Sequence, residues 1–68
     1  MDANKLNRIK AVLAEKQKTS RWLAHQMEKS ETTVSRWVSN KIQPSVEQLY
    51  EIARLLGVNV QSLFYPTD

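Results

Sequence analysis

A chain of 68 residues makes one small module whose core contributes only about 3–5 kcal/mol, so partners can supply part of its stability. It has no Cys, a single His and a single Gly, which excludes disulfides, thiolate or His-cluster metal sites and the Gly-rich phosphate loops of nucleotide enzymes. The net charge of +3 is mild but polarised: residues 1–41 carry nine basic and four acidic side chains, net +5, and residues 42–68 carry one Arg and three acids, net −2.

In chain order, Leu6, Ile9, Val12 and Leu13 recur at helical spacing with Lys5, Arg8, Lys10 and Lys16 between them, which predicts an amphipathic helix over about 4–16. Gln17 and Lys18 form a short link. Thr19 then caps a second helix through Met27 with Leu23, Ala24 and Met27 inward. Ser30 caps a third, over 31–39, in which Val34, Trp37 and Val38 repeat at i, i+3 and i+4. Asn40 follows, a residue type that tolerates the left-handed backbone at a helix end. Residues 41–44 lack periodicity and read as a loop. Ser45 and Gln48 have capping-box spacing before a fourth helix with an apolar stripe of Leu49, Ile52, Ala53 and Leu56. Gly57 ends that helix, with Val58 placed to pack back on its last turn. Asn59 is positioned to cap a last short helix carrying Val60, Leu63 and Phe64, closed by Pro66. No strand is predicted. The expected fold is all-α, a compact five-helix bundle in one domain spanning 1–68 with its core over about 4–65.

The stretch from Ser20 to Trp37 carries the most specific pattern. Leu23-Ala24, Met27, a tight turn, the Ser30 cap, Val34 and Trp37 suit two helices that cross steeply, too closely for much more than Ala24 on the first, while Val34 and Trp37 fill the wedge behind. This is a helix-turn-helix signature.

Together with Ser20-Arg21-Trp22-Leu23-Ala24, Val34-Ser35-Arg36-Trp37-Val38-Ser39-Asn40-Lys41, Gln43-Pro44-Ser45-Val46 and Ile52-Ala53-Arg54-Leu55-Leu56-Gly57-Val58, the pattern from Asn7 to Phe64 resembles the lambdoid phage repressor and Cro family of DNA-binding domains. The resemblance implies a domain that binds operator DNA as a two-fold dimer with its third helix in the major groove. The chain departs from the family at two points. Glu28 stands in the turn slot that usually holds Gly, where a left-handed backbone costs a non-Gly residue about 1–2 kcal/mol. Leu13 and Val38 occupy the slots of an Arg and a Glu that pair in many relatives. Losing both charges together leaves neither uncompensated, so Leu13 and Val38 are expected to meet in the core.

By the same resemblance Glu31, Thr32 and Arg36 fall in base-reading slots, and Ser35 shares their exposed face. The chemistry agrees: Arg forms two hydrogen bonds to guanine O6 and N7, Glu accepts from cytosine N4, and the Thr methyl meets a thymine methyl. For Arg36 the plainer alternative is a phosphate contact or a solvated charge. For Glu31 it is a first-turn acid steadying the helix N-terminus. Phosphate contacts are expected from Thr19, Ser20, Arg21, Lys29, Ser30, Ser39, Asn40 and Lys41, which flank the third helix. Trp22 fills a slot that is polar in relatives; a ring packed on a neighbouring helix is the simpler role. His25 has no nucleophile or pocket beside it, so it reads as a surface residue and no catalysis is expected.

Val46, Val58, Val60, Leu63 and Phe64 in the acidic half are either a dimer contact, as in the family, or part of the monomer's own core. The reading is a sequence-specific double-stranded DNA-binding transcriptional regulator, a homodimer on an inverted repeat. It needs no cofactor, no metal and no membrane span, carries no effector-sensing module after residue 65, and stays in the cytoplasm with the nucleoid. The alternative is an antitoxin-like or adaptor interaction module whose basic face is incidental. Single-stranded RNA binding fits less well, since it usually calls for aromatic side chains on an open sheet.

Overall fold

The computed structural model describes residues 6–66. It contains four α-helices, α1 (Ile9–Glu15), α2 (Ser20–Met27), α3 (Glu31–Val38) and α4 (Val46–Leu56), followed by a 3-10 turn at Val60–Leu63. The expected fifth helix is therefore a single tight turn. Four residues between Asn59 and Phe64 give too little length for an α-helical ladder, and short runs settle into 3-10 geometry. Asn59 makes no side-chain cap there; its carbonyl instead accepts from the Ser62 N–H at 2.9 Å.

Helix α1 starts later than its apolar periodicity suggests, and Leu6 is 57% exposed instead of lining the core. The cause is tertiary. Asn7 forms an isolated antiparallel bridge with Phe64, and the Arg8 N–H donates to the Leu63 carbonyl at 2.8 Å, which ties the segment ahead of α1 to the chain's other end. Asn7 also acts locally, its Oδ1 accepting from the Ile9 N–H at 3.0 Å to satisfy one of the free donors at the start of α1. Lys5, assigned to α1 from the sequence, lies outside the described residues.

The remaining caps follow the sequence closely. Thr19 accepts from the Trp22 N–H, Ser30 from Thr33 and Ser45 from Gln48. The Gln48 side chain returns a bond to the Ser45 N–H at 2.8 Å, completing the capping box. Gly57 closes α4 in the left-handed conformation at φ 68°, and the Val58 N–H reaches back to the Ala53 carbonyl. Asn40 ends the third helical segment left-handed as its residue type suggests, at φ 64°.

One core unites all five elements. Ile9, Val12 and Leu13 of α1 meet Leu23, Ala24 and Met27 of α2, Val34 and Trp37 of α3, Leu49, Ile52, Ala53 and Leu56 of α4, and Leu63 of the 3-10 turn. Leu13 is buried and Val38 packs half-buried against the same cluster, so neither apolar replacement of the family's charged pair faces solvent. Trp22 also leans on this core. Lys18 places its Nζ 4.8 Å from the centre of the Trp22 ring, a cation–π contact on the flank of α2. Among the described residues no helix is long and apolar enough to cross a membrane, and no cluster of metal-ligating side chains occurs.

Candidate nucleic-acid interface

Val34 and Trp37 fill the inward face of α3 and Val38 packs half-buried beside them, so Glu31, Thr32, Ser35 and Arg36 point away from the protein. Ser30 fixes where the helix starts, and the α2–α3 turn fixes its angle. That turn depends on Glu28, which adopts the left-handed backbone at φ 55° in place of the usual Gly, while the Lys29 N–H closes back on the Ala24 carbonyl at 2.9 Å. Glu28 thus delivers the same turn as Gly, at the strain cost of a Cβ in this region.

The result is an open groove of about 470 Å³ lined by Ser20, Glu31, Thr32, Ser35, Arg36, Ser39 and Lys41. It collects every residue expected to read bases and three of those expected to meet phosphate. Ser20 comes from the first turn of α2, whose free N–H groups favour anions. Ser39 and Lys41 come from the end of α3, and Glu31 and Arg36 supply charges of both signs. Glu31 is itself paired, its Oε2 lying 3.4 Å from Nε of Arg21.

The other expected phosphate contacts are dispersed or committed. Thr19 and Ser30 spend side-chain oxygens as helix caps, though Ser30 remains exposed, as does Lys29. Asn40 is absorbed by the fold. Its Oδ1 accepts from the N–H groups of Leu6 and Asn7, both at 2.9 Å, and from Gln43 Nε2 at 3.1 Å, while its Nδ2 donates to the Asn7 carbonyl at 3.0 Å. The sequence suggests the left-handed backbone of Asn40 but not these side-chain bonds, because Leu6 and Asn7 lie more than thirty residues away.

Asn7 is the residue that the sequence reading missed. It is 1% exposed, and its Nδ2 donates to the Trp37 carbonyl at 3.0 Å and to Gln43 Oε1 at 2.7 Å, locking the end of α3 to the segment ahead of α1. Its one visible signal was an Asn ahead of an apolar periodic run, the usual composition of a cap.

The apolar candidates of the acidic half divide. Val46 is 68% exposed and Phe64 is also exposed, whereas Val58 and Val60 lie half-buried against the core. Leu63 is enclosed completely by its own chain, which leaves it no surface to offer a second copy. Tyr50 and Tyr65 are exposed near this end and were not anticipated. His25 is a surface residue, as read.

The helix-turn-helix family matches residues 9–63, most of the chain and all of its helices. The chain belongs to the lambdoid repressor/Cro-like helix-turn-helix family. The helix-turn-helix chain also superposes on the crystal structure of a candidate DNA-binding protein from Bacteroides fragilis with a TM-score of 0.87 and 62% sequence identity, covering 88% of this chain and 97% of that one. No curated protein matches the sequence. Family membership identifies α2 and α3 as the paired helices of the motif and assigns the coarse role of a DNA-binding regulator.

Proposed function

We propose that this helix-turn-helix protein is a sequence-specific transcriptional regulator that lays α3 into the major groove of double-stranded DNA. One observation carries the reading: Glu31, Thr32, Ser35 and Arg36 share a groove with Ser20, Ser39 and Lys41. Groups able to read base edges thus sit between groups able to grip the phosphates on either side. The structural likeness to the Bacteroides fragilis protein supports the same partner. A chain with one recognition helix gains affinity and specificity by acting in pairs, so the operator is an inverted repeat with half-sites about one helical turn apart. Val46, Tyr50 and Phe64, exposed at the end that carries net negative charge, are the surface on which a second copy would rest.

Selection of binding sites from random duplex DNA at moderate salt tests this directly. Arg36→Ala should cost about 1–3 kcal/mol at one base position and relax the preference there, whereas Lys41→Ala should weaken all sequences alike and flatten the salt dependence. An unchanged preference with Arg36→Ala would remove α3 from its assigned role. Absence of any salt-sensitive duplex binding would favour a protein-interaction module instead.

A further inference from the structure

Glu31 poses a charge problem. It is the one acid lining the groove and opens the first turn of α3. There it would face a polyanion whose phosphates repel it at every sequence. The fold answers with Arg21. This residue lies in the first turn of α2, on the other limb of the motif, and brings Nε to 3.4 Å from the Glu31 carboxylate. Both side chains are largely free of the protein, at 81% and 64% exposed, so the pair contributes little to folding. Its effect belongs to the bound state: a duplex that displaces water from the groove lowers the effective dielectric and strengthens the pair.

Arginine is suited to this position because its planar fork carries five N–H donors. Nε lies nearest Glu31 as an ion pair with no hydrogen bond in the protein alone, and the terminal nitrogens are left for another acceptor. A lysine supplies one point charge and cannot hold a planar carboxylate in a fixed orientation while serving a second group.

We propose that Arg21 is a positioning residue for base choice: it orients the Glu31 carboxylate toward the cytosine amino group of a C·G pair while its free edge meets the adjacent phosphate. The proposal rests on the DNA-binding reading above and adds a specificity determinant on α2, outside the recognition helix. It makes Arg21 more than one of several phosphate contacts.

The test compares the full chain with Arg21→Ala, Arg21→Lys, Glu31→Ala and the Arg21→Ala/Glu31→Ala double variant on duplex libraries randomised over one half-site, at two salt concentrations. Arg21→Ala should lower the preference for C·G at one position by about fivefold or more, and Glu31→Ala should affect that same position. Arg21→Lys should keep the overall affinity and salt slope while still relaxing that preference. In the double variant, removing Arg21 should alter no base preference beyond the effect of Glu31→Ala. Uniform weakening of every sequence by Arg21→Ala, or full preference retained in Arg21→Lys, would overturn the proposal. A parent chain that discriminates no sequence would instead defeat the DNA-binding reading itself, and the parent arm shows this independently. Because both side chains are exposed and make no core contact, the variants keep the fold, which circular dichroism would verify.

Discussion

Helices α3 and α4 both begin behind a serine cap, but they are held in place by different means. In α4 both ends are fixed locally, by the Ser45–Gln48 capping box and by Gly57 in the left-handed region, and the stripe of Leu49, Ile52, Ala53 and Leu56 seats the helix in the core. In α3 only Val34 and Trp37 are fully buried, the Ser30 side chain bonds Thr33 with no return bond to the Ser30 N–H, and the far end is pinned by Asn7 and Asn40 through bonds that span some thirty residues of sequence. The difference reflects what each helix must leave free. A helix that presents its outer face to a partner cannot cover that face with its own chain, so its orientation has to be secured from the ends.

The strongest way to break this comparison is Asn7→Ala. The substitution removes three hydrogen bonds and leaves the Trp37 carbonyl without its Asn7 partner. It should cost about 2–3 kcal/mol, read as a lower urea midpoint at unchanged slope. That is a large share of the stability of so small a domain. If instead α3 is held by its core contacts alone, the midpoint will barely move.

A smaller effect separates the two caps. Ser45→Ala should destabilise by about 1 kcal/mol and Ser30→Ala by somewhat less, since only at Ser45 does the third helical side chain bond back to the cap's backbone N–H, the Thr33 side chain meeting only the Ser30 hydroxyl. Equal losses in thermal melts would show that the capping box adds nothing to the single bond.

The smallest and most diagnostic pair exchanges the turn residues. Glu28 and Gly57 both lie left-handed, at φ 55° and 68°. Glu28→Gly relieves strain of about 1–2 kcal/mol but frees the unfolded chain, for a net gain of about 0.5–1 kcal/mol. Gly57→Ala should lose a similar amount for the mirror reason, because a Cβ there meets nothing within 4 Å and only the backbone objects. Opposite shifts in melting temperature are expected. A loss of stability in Glu28→Gly would mean that the glutamate side chain contributes something beyond the turn.

Much of the fold was legible because its signals are short-range. Thr19, Ser30 and Ser45 cap where their chemistry suggests, and the apolar positions of α2 to α4 are buried at the spacing their period requires. The groove residues were legible for a related reason: once Val34 and Trp37 define the inside of α3, Glu31, Thr32, Ser35 and Arg36 are its outside. Leu6 misled because a helical period cannot reveal that the segment ahead of α1 will bond to the chain's other end. The sequence leaves Leu63 open between a dimer contact and the monomer's core, because an apolar residue near a chain end looks the same in either place; it fills its own core.

The sequence by itself determined four helical segments, their caps, the helix-turn-helix spacing and a polar outer face on α3, since each depends on residues within one or two turns of one another. Only the tertiary structure decided that Asn7 and Arg8 bond to Phe64 and Leu63, that Asn40 serves Leu6 and Asn7, and that Arg21 meets Glu31 across the turn. Those contacts join positions ten to nearly sixty residues apart. Those of Asn7, Arg8 and Asn40 exist because the core brings distant backbone groups together and their polar atoms need partners, and the Arg21–Glu31 pair because the α2–α3 turn sets the first turns of both helices side by side.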